Sequence, residues 1–220
     1  MSFKIDQEQA ESFLNALDPD AKEFTFQTFY DQKGPKEEQF QSTDEYQAGK
    51  RSYKQKSQSV ATWFHGSLKE RIGQLQDLQN KGAGVFVTIN KTDLRGRSKN
   101  NIIAIRALFV DDDENNQVVP PIKPSIVIRS KRGPHLYFLL KPEEPIELFT
   151  PLQKALANCI KTDATIHDLP RVMRLPGSYH LKDQQNPFLV ELIETNDLKY
   201  SCWEILKHFD PCIGDPNGKN

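Results

Sequence analysis

The chain has 220 residues, a length that favours one large domain over several. Hydrophobic residues make up 37% and charged residues 27% of the sequence, a balance typical of globular proteins that excludes wholesale disorder. The formal net charge of -1 excludes the global basic excess of many nucleic-acid binders, so any nucleic-acid contact must come from local basic patches.

The N-terminal third predicts a helix followed by a strand. Apolar residues at helical spacing predict a helix over 6–17, and strict alternation over 24–29 predicts a strand. Residues 31–58 are rich in Gln, Lys, Glu and Ser and poor in aliphatic residues, so we expect a long exposed excursion with a turn at Gly34-Pro35. A second helix is then predicted over 67–79, feeding a core strand over 85–89.

The rest of the chain alternates strands with turns and helices. A short connection over 130–134 predicts a hairpin between two of the strands. Strands mixed with helices in this order indicate an α+β domain around a mainly antiparallel sheet. The predicted elements are strands over 102–110, 125–129 and 136–140, a helix over 146–160, a strand over 188–193 and a closing helix over 201–209.

Two further features bound the class of protein. No stretch approaches the roughly 20 apolar residues of a membrane-spanning helix, and residues 1–6 lack the pattern of a signal peptide, so we expect a soluble, cytoplasmic protein with no membrane partner. Cys159, Cys202 and Cys212 cannot all pair and show no C-x-x-C spacing. This argues against both a disulfide framework and a zinc ribbon.

An acidic cluster follows directly on a predicted strand. The apolar residues 107–110 run into Asp111, Asp112 and Asp113. Alternate side chains of a strand share a face, so Asp111 and Asp113 project together and Asp112 points to the other side. Two such carboxylates repel each other unless a cation binds them, and hard oxygen ligands suit Mg²⁺ or Mn²⁺. The alternative is that the acidic run only ends the strand and begins a solvated loop.

The predicted hairpin connection is basic and has groups suited to an anion. Its turn brings Ser130, backbone amides and His135 near one another, and Arg129, Lys131 and Arg132 add positive charge. A phosphate group is the natural occupant of such a turn. The alternative is a solvated hairpin tip with a strand-end histidine that a neighbour satisfies.

The most specific stretch runs over 162–182. Arg171 and Arg174 have the spacing of one helical turn, and Pro176-Gly177 then breaks the chain. His180 and Lys182 follow on alternate positions of an extended piece. These cationic or protonatable groups converge near an acid. The alternative is that the arginines pair with surface acids and that Pro-Gly is an ordinary turn.

The three motifs, in this order, resemble the catalytic domain of the archaeo-eukaryotic primase (AEP) superfamily, particularly plasmid replication (RepB-type) primases and bacterial or phage primase-polymerases. The resemblance implies an α+β primase core that joins an RRM-like, mainly antiparallel sheet to a second small α/β unit. It covers roughly residues 82–182, through a strand at 84–90, an acidic motif at 109–113, a histidine motif at 130–135 and a third motif at 163–182.

Domain limits follow from the same resemblance. We expect one catalytic domain over 1–213, with N-terminal subdomain elements over 1–81 and the catalytic core over 82–200, and a tail or linker over 214–220. The family often carries a zinc module, which these cysteines cannot form, so no zinc is expected. It also often carries a downstream helicase domain, which is absent from this sequence, so a helicase domain or protein is an expected partner.

The resemblance also implies roles for individual residues. Asp111, Asp113 and Asp163 would be the catalytic carboxylates that hold two Mg²⁺ or Mn²⁺ ions, with Asp168 as the alternative to Asp163. A basic loop after Asn90 is a candidate for nucleic-acid contact, through Lys91, Arg95, Arg97 and Lys99, and a solvated loop is its alternative. The residues implied to bind the nucleotide are Ser130, Arg132, His135, Arg171, Arg174, His180 and Lys182.

The expected activity is that of a DNA primase-polymerase. A 3′-hydroxyl would attack the α-phosphate of an NTP or dNTP on a single-stranded DNA template, in plasmid, phage or mobile-element replication. Two alternatives stay open. A metal-dependent nuclease would use the same carboxylates to activate water. A non-catalytic replication initiator would need a base-reading helix, and no predicted helix carries the dense Arg/Asn/Gln face of one.

Overall fold

The computed structural model describes residues 3–112, 119–162 and 165–209. Asp113, Asp163, Cys212 and the expected tail over 214–220 lie outside these ranges. The helices of the described residues are α1 (Gln7–Leu17), α2 (Thr43–Val60), α3 (Leu68–Asn80), α4 (Phe149–Cys159) and α5 (Cys202–Phe209). The strands are β1 (Phe24–Tyr30), β2 (Thr62–Gly66), β3 (Ala83–Thr88), β4 (Lys91–Thr92), β5 (Ile102–Ala104), β6 (Ala107–Asp111), β7 (Ile126–Arg129), β8 (Pro134–Leu139), β9 (Val172–Arg174), β10 (Tyr179–His180), β11 (Phe188–Leu189) and β12 (Glu191–Thr195).

Two four-stranded sheets form the framework. The first sheet has the strand order β2-β1-β3-β9, and the second has the order β12-β7-β8-β6. Two small ribbons, β4 with β5 and β10 with β11, lie beside them. All pairings between these strands are antiparallel, which confirms the predicted α+β fold with mainly antiparallel sheets.

A shared hydrophobic core joins the two sheets. The helix α1 begins after Asp6, whose side chain accepts a hydrogen bond from the Gln9 N–H and so caps the first turn. Phe13 of α1 packs edge-on against Tyr137 of the second sheet at 5.6 Å between ring centroids. On the other face of that sheet, Phe138 packs against Phe209 of α5 at 5.5 Å. The second sheet is therefore covered on both faces.

Residues 31–58 differ from the sequence prediction. Most of this range belongs to the 18-residue helix α2, which continues to Val60, its only buried residue. The exposed excursion predicted there was wrong in its conformation, because a helix with almost no buried face leaves no apolar stripe to detect. The Ser42 hydroxyl caps α2 by accepting the Glu45 N–H. None of the described helices is both long and apolar enough to cross a membrane.

The strand predicted over 102–110 is two strands, β5 and β6. The chain passes from the β4–β5 ribbon to the second sheet at Arg106, whose N–H donates to the side chain of Asn90 at 3.0 Å and whose guanidinium pairs with Asp18 at 2.7 Å. The predicted hairpin is confirmed, since β7 pairs with β8 and Arg129 lies opposite Pro134. Cys159 is an exposed free thiol and Cys202 is a buried one.

A stability prediction arises at the turn between β9 and β10. Gly177 has a φ of +81°, and a Cβ there would overlap the carbonyl oxygen of Asp6, whose N–H donates to the Gly177 carbonyl at 2.8 Å. We expect Gly177→Ala to lower the free energy of unfolding by roughly 1–3 kcal/mol. Gly73 lies exposed in α3 with open space around it, so Gly73→Ala should raise the same quantity by about 0.5–1 kcal/mol. Urea unfolding measures both changes. Two changes of the same sign would contradict the conclusion that position 177 requires glycine and position 73 does not.

Candidate active site

One pocket lies between the two sheets, where strands β6 and β8 face strands β3 and β9. Its walls combine residues from the acidic motif, the hairpin and the third motif, which are far apart in sequence. Seven of the predicted site residues line it: Asp111, Ser130, Arg132, His135, Arg174, His180 and Lys182. Phe86, Val172 and Met173, for which the sequence indicated no role in a site, complete the wall.

Asp111 and His135 form the inner side of this pocket. They lie directly opposite each other in the pairing of β6 with β8, so their side chains share a face. His135 Nε2 is 3.2 Å from Asp111 Oδ1, with side-chain exposures of 7% and 23%. Tyr137 follows on the same face of β8, and its complete burial, with the nearby Asp111 carboxylate, holds the pKa of its hydroxyl well above the usual value. Because Asp111 lines the pocket and its side chain is partly exposed, its carboxylate opens into the pocket.

The neighbouring Asp112 has a different position. It is 1% exposed and does not line the pocket, in agreement with the alternation that the sequence predicted. The other two proposed metal ligands, Asp113 and Asp163, lie outside the described residues. Within the described ranges, no three His, Cys, Asp or Glu side chains form a ready metal site. The oxygen donor of Asp111 nevertheless suits a hard cation such as Mg²⁺ or Mn²⁺.

The hairpin turn places Arg132 at the pocket rim. The Ser130 hydroxyl donates to the Gly133 carbonyl at 2.7 Å, and the Ser130 N–H donates to the same oxygen at 3.2 Å. Lys131 turns away and donates to the Asn186 carbonyl at 3.1 Å. The Ser130 hydroxyl thus closes the turn, while the exposed Arg132 carries the positive charge of the hairpin into the pocket.

A buried ion pair builds the opposite wall, and the sequence did not reveal it. Arg174 binds Asp31 through two hydrogen bonds, Nη1 to Oδ2 at 3.0 Å and Nη2 to Oδ1 at 2.8 Å. The Asp31 Oδ2 also accepts the Leu181 N–H at 2.6 Å, and the Arg174 guanidinium stacks over Phe86 at 4.5 Å. Gly84 makes room for this arrangement, because a Cβ there would overlap the guanidinium. Asp31 thereby fixes both β9 and the segment that carries His180 and Lys182.

His180 has a strongly perturbed titration. Half-burial, followed in size by the nearby positive charge of Arg174, lowers the pKa of its imidazole to about 4, against an opposing contribution from Asp31. The imidazole is therefore neutral at pH 7. Its Nδ1 is buried without a hydrogen-bond partner among the described residues. An anion beside this ring would favour the protonated form.

This perturbation predicts a pH dependence of stability. The folded protein keeps His180 neutral down to about pH 4, whereas the unfolded chain protonates it near 6.5, so the unfolded state binds more protons between these values. The stability that depends on a neutral His180 is fully present above pH 6.5. It is lost as the pH falls toward 4, because the unfolded state then binds the proton more readily than the folded state does. We expect the Tm of the wild type to fall more steeply across this window than the Tm of His180→Gln, measured without metal or nucleotide. If Tm falls equally steeply with pH in the wild type and in His180→Gln, the lowered pKa of His180 is contradicted.

Arg171 differs from its predicted arrangement. Residues 172–174 form strand β9, so Arg171 and Arg174 are not one helical turn apart, and that prediction was wrong. Arg174 turns inward to Asp31, while Arg171 forms an ion pair with Asp168 and does not line the pocket. Of the two candidates for the third carboxylate, Asp168 is thus engaged in this ion pair, and Asp163 lies outside the described residues.

The basic loop lies at the end of the first sheet. Lys91 belongs to β4, and the Thr92 hydroxyl beside it contacts the Thr25 hydroxyl of β1 at 2.6 Å. Arg97 donates to the Pro170 carbonyl at 3.3 Å, while Arg95 and Lys99 are exposed. These residues do not line the pocket, so the loop is a separate basic surface.

Solved primase structures share this fold. The AEP domain of the cyanophage S-2L primase-polymerase (PrimPol) has a TM-score of 0.67 at 19% sequence identity, covering 93% of this chain and 98% of that one. The catalytic domain of the primase RepB′, in complex with initiator DNA, has a TM-score of 0.60 at 15% identity over 94% of both chains. A second RepB′ structure scores 0.61 at 14% identity, and this chain spans 62% of its length. No family model and no curated protein matches the sequence. The fold is that of AEP primases, as the motifs predicted.

Proposed function

We propose that the protein is a DNA primase-polymerase, a nucleotidyltransferase that builds primers from NTPs or dNTPs on single-stranded DNA. The observation that carries this proposal is the meeting of three separate motifs in one pocket, with an acid and a histidine on one wall and cationic groups on the other. The fold shared with primases supports the same activity. Replication of a plasmid, phage or mobile element, with a helicase domain or protein as partner, is the biological setting that the proposal favours.

The triphosphate would occupy the cationic side of the pocket. Arg132 and Lys182 are exposed there, whereas Arg174 is buried against Asp31. Arg132 and Lys182 would therefore meet the phosphate oxygens first, and the planar guanidinium of Arg132 suits a bidentate contact. His135 would contact the same phosphates while Asp111 holds its Nε2. A bound anion would raise the pKa of His180, so that the imidazole takes up a proton from solvent and donates hydrogen bonds from both nitrogens.

The acidic side would hold the metal ions. Asp111, together with Asp113 and Asp163, supplies the oxygen ligands that Mg²⁺ or Mn²⁺ prefers. When bound, such ions lower the pKa of the attacking hydroxyl and stabilise the leaving oxygens. Asp111 and His135 share one face of the sheet, so a cation on Asp111 and phosphates on His135 would be held in fixed register. Arg171, tied to Asp168 outside the pocket, would serve the nucleotide or template only from the rim.

The rival activity from the same residues is metal-dependent DNA hydrolysis. A strand labelled at its 5′ end and annealed to a longer template separates the two. Nucleotide-dependent lengthening of the labelled strand is the result expected of a polymerase. Shortening of the strand, with or without nucleotides, would support the nuclease and contradict the proposal.

A further inference from the structure

One face of the first sheet presents aromatic side chains to solvent. The register places Trp63 of β2, Gln27 of β1, Phe86 of β3 and Arg174 of β9 in one row across the four strands. Directly paired residues share a face, so this row lies on one side of the sheet. Phe29 lies two residues beyond Gln27, with its ring 5.5 Å from the Phe86 ring. Trp63 is 47% exposed and Phe29 is 40% exposed.

The opposite face of the same strands explains why these aromatics are not core residues. Phe26 and Phe64, which alternate with them, point inward with ring centroids 6.2 Å apart. Phe26 is completely buried. The strands thus already supply apolar residues to the core on one face. Trp63 and Phe29 contribute to the surface instead, where clustered large apolar side chains, unlike single scattered ones, mark interaction sites.

The surroundings indicate what would contact this aromatic face, which we define as Trp63, Phe29 and Phe86. At one end Phe86 and Arg174 also line the pocket, so the face is continuous with it. At the other end the Thr25–Thr92 contact joins the face to the loop that carries Arg95, Arg97 and Lys99. Acidic groups are also present: Asp93 and Glu23 lie near His65, and Asp93 accepts hydrogen bonds from the Arg95 N–H and the Asn101 amide.

The chemistry of the face selects among partners. Gln27, between Trp63 and Phe86, is buried and donates its amide to backbone carbonyls of its own sheet. His65 lies beside Trp63 with ring centroids 5.2 Å apart, so the exposed aromatic rings are separated by polar residues and do not form one continuous apolar patch. A hydrophobic protein partner or a lipid would require a continuous apolar patch. Unpaired nucleic-acid bases have apolar faces and polar edges, and their phosphates require nearby positive charge.

We propose that the aromatic face binds single-stranded DNA by stacking its bases on Trp63 and Phe29, with Phe86 leading the strand to the pocket. Naming this strand as the template rests on the proposed primase-polymerase function. The basic loop would hold the phosphates at the far end of the face. Stacking tolerates any base, so binding should depend little on sequence. The inference adds an aromatic base-binding surface to the basic loop predicted from sequence.

The chain contains two tryptophans, so intrinsic fluorescence can test the contact directly. Trp203→Phe leaves Trp63 as the reporter, and Trp63→Phe leaves Trp203, which is 65% exposed on α5. Oligo(dT) is added without metal or nucleotide. We expect quenching in the Trp203→Phe protein and none in the Trp63→Phe protein. Quenching of Trp203 alone, or of neither, would overturn the proposal, as would Trp63 emission that changes with protein concentration before DNA is added.

Binding strength gives the second measurement. Trp63→Ala should weaken oligo(dT) binding about 10-fold in fluorescence anisotropy, the scale of one lost stacking contact, while Trp203→Ala should leave it unchanged. Equal affinities in the two variants would overturn the proposal. DNA synthesis without a Trp63 response would refute the aromatic face and leave the proposed function intact. A Trp63 response without nucleotide incorporation would refute the proposed function and leave the aromatic face intact.

Discussion

Asp111→Ala combined with Asp113→Ala is expected to abolish nucleotide incorporation while leaving the protein folded. The change removes two proposed metal ligands and one side of the Asp111–His135 contact. Loss of the metal site should lower the rate by about three orders of magnitude or more, or about 4 kcal/mol of transition-state stabilisation. The Asp111 side chain is 23% exposed, and the change removes clustered like charges, so Tm without metal should hold or rise.

Incorporation assays and thermal unfolding, run on the same preparations, test this expectation. Glu37→Ala with Glu38→Ala is a matched control, because it also removes two neighbouring carboxylates, at exposed positions outside the pocket. That control should keep full activity. Activity in the Asp111/Asp113 variant equal to the control would remove the metal-site assignment.

Asp31→Ala should have the second-largest effect. It leaves the buried Arg174 guanidinium without its carboxylate, and breaking such a pair typically costs about 3–5 kcal/mol of folding free energy. It also frees the Leu181 N–H and so loosens the segment that carries His180 and Lys182. A displacement of about 1 Å at those groups can lower activity about 10²-fold.

Another largely buried Asp–Arg pair provides the control. Asp18 binds Arg106, which stacks over Phe24 at 4.9 Å and does not line the pocket. Asp18→Ala should also lower stability, measured by urea unfolding, yet leave the nucleotide Kd unchanged below the unfolding transition. Asp31→Ala should raise that Kd under the same conditions. Equal nucleotide affinity in the two variants would show that Asp31 only stabilises the fold.

The candidate site was predictable where the chemistry lies in short motifs. Asp111, Ser130, Arg132 and His135 are brought together by one local hairpin and the strand beside it, and strand alternation with a Gly-Pro turn predicts such a feature. Asp31 had no comparable signal. It lies 143 residues before Arg174, and its partner becomes evident only when β1, β3 and β9 are side by side.

The errors in the fold have local physical causes. The helix α2 was missed because its residues are almost all solvated, although Ser42 and Glu45 have the spacing of a helix N-cap. Arg171 and Arg174 were assigned a helical spacing because residues three apart fit a helix as well as a short strand. Residues 172–174 form a strand because they pair with β3. This long-range contact is not visible in the local sequence pattern.

If this pocket starts and extends DNA-templated strands, as we propose, the protein should synthesise DNA without a primer on circular single-stranded DNA. The circle is incubated with NTPs and dNTPs, one of them labelled in the α-phosphate, in Mg²⁺ or Mn²⁺. We expect labelled products of increasing length from the wild type and none from the Asp111→Ala/Asp113→Ala protein. Linearised or degraded circles without labelled product, or equal product from both proteins, would contradict it.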